Sequence, residues 1–282
     1  MSTDPTVYLN GEFMPLSEAR IPVLDRGFIF GDGIYEVVPA YNRQPFRWPQ
    51  HLTRLRRSLT RIGISNPLDD DGWAGLVSEL INRHPWDDQF VYMQITRGVA
   101  KRDHAFPEQS TPTVFAMSSE FHKPAAELLS KGIAAITLKD ERWLNCDIKS
   151  VSLLGNVLAR QAAVDANAVE CIMFRDGFLT EGSASTIWVV RNGKVLVPVR
   201  DRRILEGIRI GLIEELCASE SLTLEQRNIT REEVMGADEL LVSSATKEVV
   251  PITSLNDNPV GSGQPGPVFS RLHAAYQRAI KA

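Results

Sequence analysis

The stretch from Glu141 to Arg160, ERWLNCDIKSVSLLGNVLAR, decides how the rest of the chain is interpreted. At its centre is Lys149, placed between a short apolar segment at 132–138, typical of a buried strand, and a segment at 153–166 with helical periodicity. One face of that helix is predicted to collect Leu154, Val157, Leu158, Gln161 and Ala162. Strand-to-helix junctions tend to form sites in α/β proteins, and a low-dielectric pocket there would favour the neutral, nucleophilic amine. A lone lysine is nevertheless more often an exposed side chain at a helix edge.

The composition indicates an ordinary globular protein and argues against several classes of function. The chain has 282 residues, 43% of them hydrophobic and 23% charged, which is typical of a globular enzyme with one or two domains. The net charge of −4 and the lack of a Lys/Arg stripe argue against nucleic-acid binding. No apolar run approaches the roughly 18 to 20 residues needed to cross a bilayer. We therefore expect neither a nucleic-acid nor a membrane partner.

Two further features favour a cytoplasmic protein. The N-terminus, MSTDPTVYLNGEF, has neither a basic start nor an apolar core, so no signal peptide is expected. The three cysteines, Cys146, Cys171 and Cys217, are odd in number and widely spaced, without the pairing typical of a metal site. We expect reduced thiols and no metal.

The order of elements predicts two mixed domains of helices and strands, an α/β fold of the α+β type. The periodicity stops near 119–125, where a proline intervenes, and this predicts a linker at 121–127. The N-terminal domain is then 1–120, and the C-terminal domain, 128–282, carries Lys149. Glycine-containing turns predict hairpins at Asn10-Gly11, Asp176-Gly177 and Asn192-Gly193.

Periodicity predicts two amphipathic helices in the N-terminal domain. The first spans 49–62, and its apolar stripe consists of Leu52, Leu55, Leu59 and Ile62. It also has arginines at positions 54, 56, 57 and 61, whose default location is a solvated face. The second follows the acidic run 69–71, which is suited to cap a helix. Its inward side chains are predicted to be Trp73, Leu76, Val77, Leu80 and Ile81.

A long polar segment, from Val99 to Pro107, follows a predicted strand at 90–98. Loops of this length that are rich in Arg, Asp and His are more often functional than idle. Its candidate site residues are Arg102 and His104, spaced as Arg-x-His. The alternative is a solvated polar loop without a role.

Four separated motifs, taken together, resemble those of the fold-type IV pyridoxal-phosphate enzymes. They are Asp147-Ile148-Lys149-Ser150 followed by Asn156, Thr180-Glu181-Gly182-Ser183, Leu205-Glu206-Gly207-Ile208, and Phe30-Gly31-Asp32-Gly33-Ile34-Tyr35-Glu36-Val37. This family includes D-amino acid, branched-chain and (R)-amine transaminases and aminodeoxychorismate lyase. The resemblance extends over about residues 8–280, and the joint order and spacing of the motifs make it specific. It implies a two-domain architecture with the cofactor, pyridoxal 5′-phosphate, between the domains.

The resemblance implies cofactor-binding roles for residues in these motifs. Lys149 resembles the lysine that holds the cofactor as a Schiff base and later moves a proton at the substrate Cα. Glu181 resembles the carboxylate that keeps the pyridine nitrogen protonated, so that the ring acts as an electron sink. Arg54 resembles the phosphate-binding arginine. Arg142 resembles an arginine near the Glu181 end of the ring, although a structural ion pair is equally plausible. The phosphate cradle is expected to be completed by Gly207 and Ile208 at a helix start and by Ser244 and Ala245 at a strand end.

The implied substrate site is that of the D-amino acid transaminases. Tyr35, Arg102 and His104 resemble the residues that bind the substrate carboxylate in that subgroup, and Val37, on the same strand face as Tyr35, is a further candidate substrate contact. Branched-chain enzymes hold the carboxylate differently and lack the Arg-x-His pair. Because this loop comes from the neighbouring subunit in the subgroup, the resemblance implies a homodimer. The implied substrates are a D-amino acid and a 2-oxo acid.

Three positions depart from the family's pattern, and all three correspond to cofactor-binding positions of the family. Arg209 stands where a threonine is usual, so it either supplies a charge to the phosphate or points to solvent. Thr186 replaces a common asparagine, and Ala245 replaces a hydroxyl residue often present in D-amino acid transaminases. These departures bear on cofactor affinity more than on the reaction.

Two alternatives stay open from the sequence alone. One keeps the cofactor and changes the reaction, to that of a branched-chain L-amino acid transaminase, an (R)-amine transaminase or aminodeoxychorismate lyase. The pair Arg102 and His104 argues against the branched-chain and lyase reactions. The other alternative is a cofactor-binding module without turnover. The joint retention of Lys149, Glu181 and the carboxylate residues argues against it, because binding alone needs no carboxylate trap.

Overall fold

The computed structural model describes residues 4–281, which divide into two compact units. The N-terminal unit comprises the described residues up to His122 together with Ile148–Ser152. The C-terminal unit comprises Lys123–Asp147 and the described residues from Leu153 onward. Lys149, which was expected in the C-terminal domain, therefore lies in the N-terminal unit. The linker at 121–127 stays a prediction.

The N-terminal unit is an antiparallel sheet with helices against one face. Its elements in chain order are β1 (Thr6–Leu9), β2 (Glu12–Pro15), α1 (Arg26–Phe30), β3 (Gly33–Tyr41), β4 (Gln44–Pro45), α2 (Trp48–Arg61), α3 (Asp70–Asn82), β5 (Gln89–Thr96) and β6 (Thr113–Glu120). The strands follow the order β2-β1-β6-β5-β3-β4. Asn10 and Gly11 both have positive φ, at 50° and 104°, and form the predicted turn between β1 and β2.

Strand alternation gives the sheet of the N-terminal unit one buried and one partly exposed face. On β3, Ile34 and Val38 are buried while Tyr35 and Val37 are partly exposed. The buried face packs against α2 and α3. Helix α2 begins one residue before its predicted start and ends one residue before its predicted end. Asp69 caps α3 by accepting a hydrogen bond from Gly72 N at 2.8 Å. All five inward residues predicted for α3 are buried.

The C-terminal unit is built on a larger mixed sheet. Its elements are α4 (Ala126–Lys131), β7 (Ile133–Lys139), α5 (Leu154–Asp165), β8 (Glu170–Arg175), β9 (Phe178–Gly182), β10 (Thr186–Arg191), β11 (Lys194–Val197), α6 (Ile208–Ser219), β12 (Thr223–Gln226), α7 (Arg231–Met235), β13 (Glu239–Ser244), β14 (Glu248–Leu255), β15 (Asn258–Pro259) and α8 (Pro267–Ala279). The strand order is β12-β11-β10-β13-β14-β7-β8-β9, with β15 paired to β14. The hairpins predicted at 176–177 and 192–193 are confirmed. None of the helices within residues 4–281 combines the length and hydrophobicity that a bilayer-spanning segment requires.

The segment around Lys149 differs from the sequence-based expectation. Strand β7 ends at Lys139 and α5 begins only at Leu154, so Lys149 does not lie at a strand-to-helix junction. Its segment instead pairs with the start of β3: Tyr35 N donates to Lys149 O at 2.9 Å, and Val151 N donates to Gly33 O at 3.1 Å. Next to it, Ile148 is buried in the core of the N-terminal unit. These contacts explain why the lysine belongs to that unit.

The apolar face predicted for α5 exists, but it faces outward. Leu154 is 71% exposed, Val157 58% and Leu158 62%, while Ala163 on the opposite side is buried against β8. The predicted helical periodicity is confirmed, and the structure adds that its larger apolar side chains are exposed. Adjacent exposed apolar side chains of this size are typical of an interaction surface.

Candidate active site

The side chain of Lys149 lies over an aromatic ring on the partly exposed face of the N-terminal sheet. Its Nζ is 4.0 Å from the centroid of the Tyr35 ring, and that ring stacks on Tyr92 at a centroid distance of 5.8 Å. The backbone N–H of Lys149 donates to Ser58 Oγ at 3.4 Å. Main-chain pairing and the ring thus fix the direction of the amine. The structure brings together Lys149 and Tyr35, two of the predicted site residues.

The same sheet face continues with further aromatic and polar side chains. Val37 is paired in register with Tyr92, whose hydroxyl donates to Gln94 Oε1 at 2.7 Å. Burial, with a smaller contribution from Tyr35, raises the pKa of Tyr92 to about 12, so its phenol stays neutral. An aromatic, partly exposed surface beside a primary amine is suited to a small organic ligand.

Arg54 is buried on the opposite face of the sheet, although a solvated position was its default. Its Nε donates to Glu36 Oε1 at 2.7 Å and its Nη2 donates to Glu36 Oε2 at 2.8 Å. His51 Nδ1 lies 2.8 Å from the same carboxylate. Burial opposes ionisation of Glu36, but Arg54 outweighs it and holds the pKa of Glu36 well below its usual range. The fixed guanidinium is compatible with the phosphate-binding role of Arg54, which stays a prediction.

Sequence reasoning missed Glu36 and His51 as partners of Arg54. Glu36 did carry a signal, because it is an acidic residue at a core-facing position of a predicted strand. Such a residue is rare unless it is paired. Removing one member of a buried pair of this kind typically costs ~3–5 kcal/mol.

The side chains of Arg102 and His104 both lie close to the ring of Phe30 in the N-terminal unit. The Cζ of Arg102 is 5.5 Å from the centroid of the Phe30 ring, and the His104 ring centroid is 5.3 Å from it. Both side chains belong to exposed residues. The two residues of the predicted Arg-x-His pair therefore both contact Phe30. Tyr35 instead contacts Lys149 and Tyr92.

In the C-terminal unit, Glu181 and Arg142 form a buried ion pair. Arg142 Nη1 donates to Glu181 Oε1, and Leu205 N donates to the same carboxylate at 3.2 and 3.3 Å. The Nε and Nη2 of Arg142 donate to the two carboxylate oxygens of Asp140, each at 2.9 Å. Arg142 is thus part of a structural ion pair that includes Glu181, and its place near the cofactor ring stays a prediction. No pattern in the sequence indicated Asp140.

The electrostatics of this pair are set by burial and by the shared arginine. Burial raises the pKa of Glu181, and Arg142 opposes that rise. Burial also acts to raise the pKa of Asp140. The hydrogen bonds that Asp140 accepts from Arg142 and Thr180 outweigh burial and lower its pKa below the usual value. A cationic group placed against Glu181 would favour its ionised form further. The site therefore has an acceptor suited to a protonated ring nitrogen.

The start of α6 supplies backbone donors without a side-chain cap. Gly207 is the N-cap, with φ −67° and ψ 139°, and makes no side-chain hydrogen bond to the first turn, which begins at Ile208. A Cβ on Gly207 would lie 3.1 Å from Thr186 Oγ1, closer than a normal carbon contact. The N–H groups of a helix start are a ready site for phosphate. The glycine keeps this approach open.

The turn after β13 is organised by one hydroxyl. Ser244 Oγ accepts hydrogen bonds from Lys247 N at 3.1 Å and from Thr246 N at 3.3 Å. Ala245 follows it directly. The turn therefore presents a small side chain and a fixed hydroxyl at the predicted second half of the phosphate cradle, and its contact with phosphate stays a prediction.

Arg209 is an interior residue. It is only 2% exposed, and its Cζ lies 5.6 Å from the centroid of the Tyr276 ring in α8. The alternative that it points to solvent is wrong, because the second position of α6 faces α8. Its contact with a cofactor phosphate stays a prediction.

A buried carboxylate, which sequence reasoning missed, holds the turn after β9. Glu170 accepts from Ser183 N at 3.0 Å, Ser185 Oγ at 2.8 Å and Lys247 Nζ at 2.7 Å. Asn156 Nδ2 in α5 donates to Ser183 O at 2.7 Å, which gives a partner to the asparagine noted in the sequence. Burial acts to raise the pKa of Glu170, but Lys247 outweighs it and lowers the pKa. This network fixes the chain directly after Glu181.

These residues fit the chemistry of pyridoxal phosphate when each unit is considered by itself. The C-terminal unit offers a buried carboxylate for a ring nitrogen and an uncapped helix start for a phosphate. The N-terminal unit offers a primary amine over an aromatic ring and a buried arginine. The donor set is therefore the one that the cofactor requires.

Comparison with known proteins supports the same conclusion. Residues 33–255 match the family model of amino-transferase class IV. The chain is 38% identical over 274 residues to a D-alanine aminotransferase of Bacillus licheniformis, covering 97% of this chain and 96% of the relative. It is 36% identical over 277 residues to a D-alanine aminotransferase of Staphylococcus aureus (strain MSSA476), covering 98% of both.

The fold agrees with solved structures of more distant sequence. The branched-chain amino acid aminotransferase of Escherichia coli superposes with a TM-score of 0.92 at 22% identity, covering 98% of this chain and 94% of that one. The T.th. branched-chain amino acid aminotransferase with pyridoxamine 5′-phosphate gives 0.93 at 23% identity, covering 99% and 94%. At these identities the likeness reports the fold alone. Because the family model covers most of the chain and relatives match it from end to end, the chain belongs to the amino-transferase class IV family.

Proposed function

We propose that this protein is a pyridoxal-phosphate-dependent D-amino acid transaminase. It moves the amino group of a D-amino acid such as D-alanine to a 2-oxo acid such as 2-oxoglutarate, in a ping-pong reaction. The observation that carries the proposal is the 38% identity to a D-alanine aminotransferase over nearly the whole chain. The likeness to branched-chain enzymes does not oppose it, because one fold serves several reactions.

The residues of the chain divide the work of the reaction. When bound, pyridoxal phosphate supplies an electron sink for the carbanion at the substrate Cα. Lys149 would hold the cofactor, and its amine would move the proton at the substrate Cα. Glu181, held by Arg142, would supply the negative charge at the ring nitrogen. Its phosphate would be held by Arg54, Gly207, Ile208, Arg209, Ser244 and Ala245.

The substrate carboxylate is bound by Arg102 and His104 with Tyr35, and Val37 lines the same face. If the carboxylate is fixed on one side of the cofactor, only one enantiomer turns its Cα–H toward Lys149. This is the source of the preference for D-amino acids. The loop that carries Arg102 and His104 acts on the site of the neighbouring subunit in a homodimer.

Replacing Arg102 with alanine is expected to lower kcat/KM for D-alanine by about one to two powers of ten, because a charge-assisted carboxylate contact contributes roughly 1.5 to 3 kcal/mol. The loss for 1-phenylethylamine, which has no carboxylate, should be small. Steady-state kinetics with D-alanine, L-alanine and the amine on wild type and Arg102→Ala test this expectation. Equal losses of kcat/KM for D-alanine and the amine, or a wild-type preference for L-alanine, would contradict this role of Arg102 and favour a branched-chain amino acid transaminase.

The exposed face of α5 supports the homodimer. Leu154, Val157 and Leu158 are more than half exposed. Trp143 and Leu144, which follow Arg142 beside Gly155 of α5, are 47% and 58% exposed. Burial of a Val or Leu side chain contributes ~1.5–3 kcal/mol, and a two-fold axis would use each side chain twice. We therefore assign this face to the subunit interface.

The double variant Val157→Glu, Leu158→Glu is expected to raise the dimer dissociation constant by at least about a hundredfold, because charges would have to be buried at the interface. Sedimentation at several concentrations measures the change. Leu128→Glu, which alters a leucine that is 38% exposed on α4, is the matched control and should leave the oligomeric state unchanged. A dimer of unaltered stability in the double variant would contradict the assignment.

We also place the protein in the cytoplasm. Its three cysteines are free and buried, and burial raises the pKa of Cys146 to about 11, of Cys171 to about 12 and of Cys217 to about 11. Such thiols are unreactive and suit a reducing compartment.

A further inference from the structure

A buried ion cluster in the N-terminal unit lies against the loop that carries Arg102 and His104. We name it the loop anchor, and it consists of Arg26, Asp32 and Arg97. Asp32 Oδ2 accepts from Arg26 Nε at 2.8 Å and from Arg97 Nε at 2.7 Å, and its Oδ1 accepts from Arg97 Nη2 at 3.0 Å. The side chains of both arginines are 4% exposed. One carboxylate therefore fixes two guanidinium groups inside the unit.

From this position Arg26 reaches the loop at its functional residues. Its Nη1 donates to Asp103 O at 2.5 Å, and its Nη2 lies 3.5 Å from His104 O. Its Cζ is also 4.9 Å from the centroid of the Phe30 ring, on which Arg102 and His104 gather. The main chain of the Arg-x-His segment and the ring beneath it are thus both held by Arg26.

Arg97 and Asp25 hold the rest of the loop. The Cζ of Arg97 is 3.7 Å from the centroid of the Phe106 ring, downstream of the Arg-x-His segment. Asp25 Oδ2 accepts from Thr96 Oγ1 at 3.0 Å and from Thr113 Oγ1 at 2.7 Å, so one carboxylate joins the two ends of the loop. These two hydrogen bonds to Asp25, which keep the ends of the loop together, do not involve the side chain of Asp32. Loss of Asp32 is therefore expected to free the middle of the loop while its ends stay closed.

We propose that Asp32, through Arg26, is a positioning residue that sets the place of Arg102 and His104 and thereby the selectivity for substrates with a carboxylate. The inference rests on the proposed function, in which these two residues bind the carboxylate. Without the charge of Asp32, Arg26 and Arg97 repel each other, and Arg26 loses the support that aims it at Asp103 O and His104 O. A displacement of about 1 Å in a binding group can lower the rate about a hundredfold.

The test is a double-mutant cycle with Asp32→Asn and Arg102→Ala, measured on D-alanine and on the neutral amide D-alaninamide. Asp32→Asn alone should lower kcat/KM for D-alanine about tenfold to a hundredfold, with a much smaller effect on the amide. In the Arg102→Ala background the same change should cost clearly less than in the wild type, because only the contribution of His104 is left for Asp32 to act on. Hydrogen–deuterium exchange of residues 99–110 should accelerate in Asp32→Asn.

Asp70→Asn is the matched control. It removes the carboxylate of an exposed pair with Arg56 in the same unit, so neither the kinetics nor the exchange of the loop should change. Additive losses in the cycle, equal losses for D-alanine and the amide, or unchanged exchange of the loop would overturn the inference. Absence of D-amino acid transamination in the wild type would refute the proposed function, and the exchange measurement would still report whether Asp32 holds the loop.

A second variant covers the case in which Asp32→Asn fails to fold. Arg26→Lys keeps a positive charge beside Asp32, but its single ammonium cannot serve both Asp32 and the loop carbonyls as the guanidinium does. It should show the same selective loss for D-alanine and the same faster exchange. Wild-type kinetics and exchange in Arg26→Lys would equally overturn the inference.

Discussion

Replacing Lys149 with alanine is expected to lower kcat for D-alanine by about four powers of ten or more, because covalent attachment and proton transfer are lost together. The residues proposed to bind the cofactor phosphate do not include Lys149, so the variant should still bind the cofactor non-covalently. Absorbance spectra separate loss of chemistry from loss of cofactor. In the wild type, borohydride reduction should add the cofactor's mass to the peptide that contains Lys149.

The matched control is Lys139→Ala, which removes a lysine that is 80% exposed and paired with Glu141 at the surface. Its kinetics and its labelling at position 149 should equal those of the wild type. Labelling of a different lysine after reduction would contradict the assignment. Near-normal turnover by Lys149→Ala would contradict it as well.

Replacing Glu181 with glutamine is expected to lower kcat by about two to three powers of ten, with a modest loss of cofactor affinity. The change keeps the size of the side chain and one acceptor oxygen, but it replaces the other oxygen with an NH2 donor and removes the negative charge that is proposed to face the ring nitrogen. Arg142 keeps its two hydrogen bonds to Asp140, so the surroundings should stay in place. Steady-state kinetics and cofactor titration measure the two effects separately.

Glu141→Gln provides the control for this variant, since its carboxylate is 75% exposed and pairs with Lys139 at the surface. It should leave kcat unchanged. An unchanged kcat in Glu181→Gln would show that the negative charge at the ring nitrogen comes from another group.

Sequence patterns predicted those parts of the fold that depend on neighbouring residues. The Asn10-Gly11 turn needs only two residues that tolerate positive φ, and α3 needs only its acidic cap and its apolar spacing. The family motifs likewise supplied Lys149 and Tyr35, which the structure brings together. Local chemistry is sufficient for features of this kind.

The rest depends on contacts between distant positions, which a single sequence does not encode in any local pattern. Glu36 and Arg54 are 18 positions apart, and Arg142 and Glu181 are 39 apart, so neither pair follows from helical or strand spacing. The outward apolar face of α5 illustrates a second limit. Periodicity identifies which side chains share a face, but it does not say whether the chain itself or another chain covers that face.

The pairing of residues 148–152 with β3 has a consequence for the order in which the protein is made. Synthesis releases the chain from its N-terminus, so the first 122 residues emerge without Ile148, which completes their core, and without the partner of the Gly33–Tyr35 edge. Closure must wait for residues 148–152, across a separation of more than a hundred residues that slows folding. A nascent chain or fragment that stops before residue 148 therefore lacks part of the core of the N-terminal unit, and it also lacks Lys149. Completion of the N-terminal unit and arrival of Lys149, the predicted cofactor-binding lysine, are thus a single event.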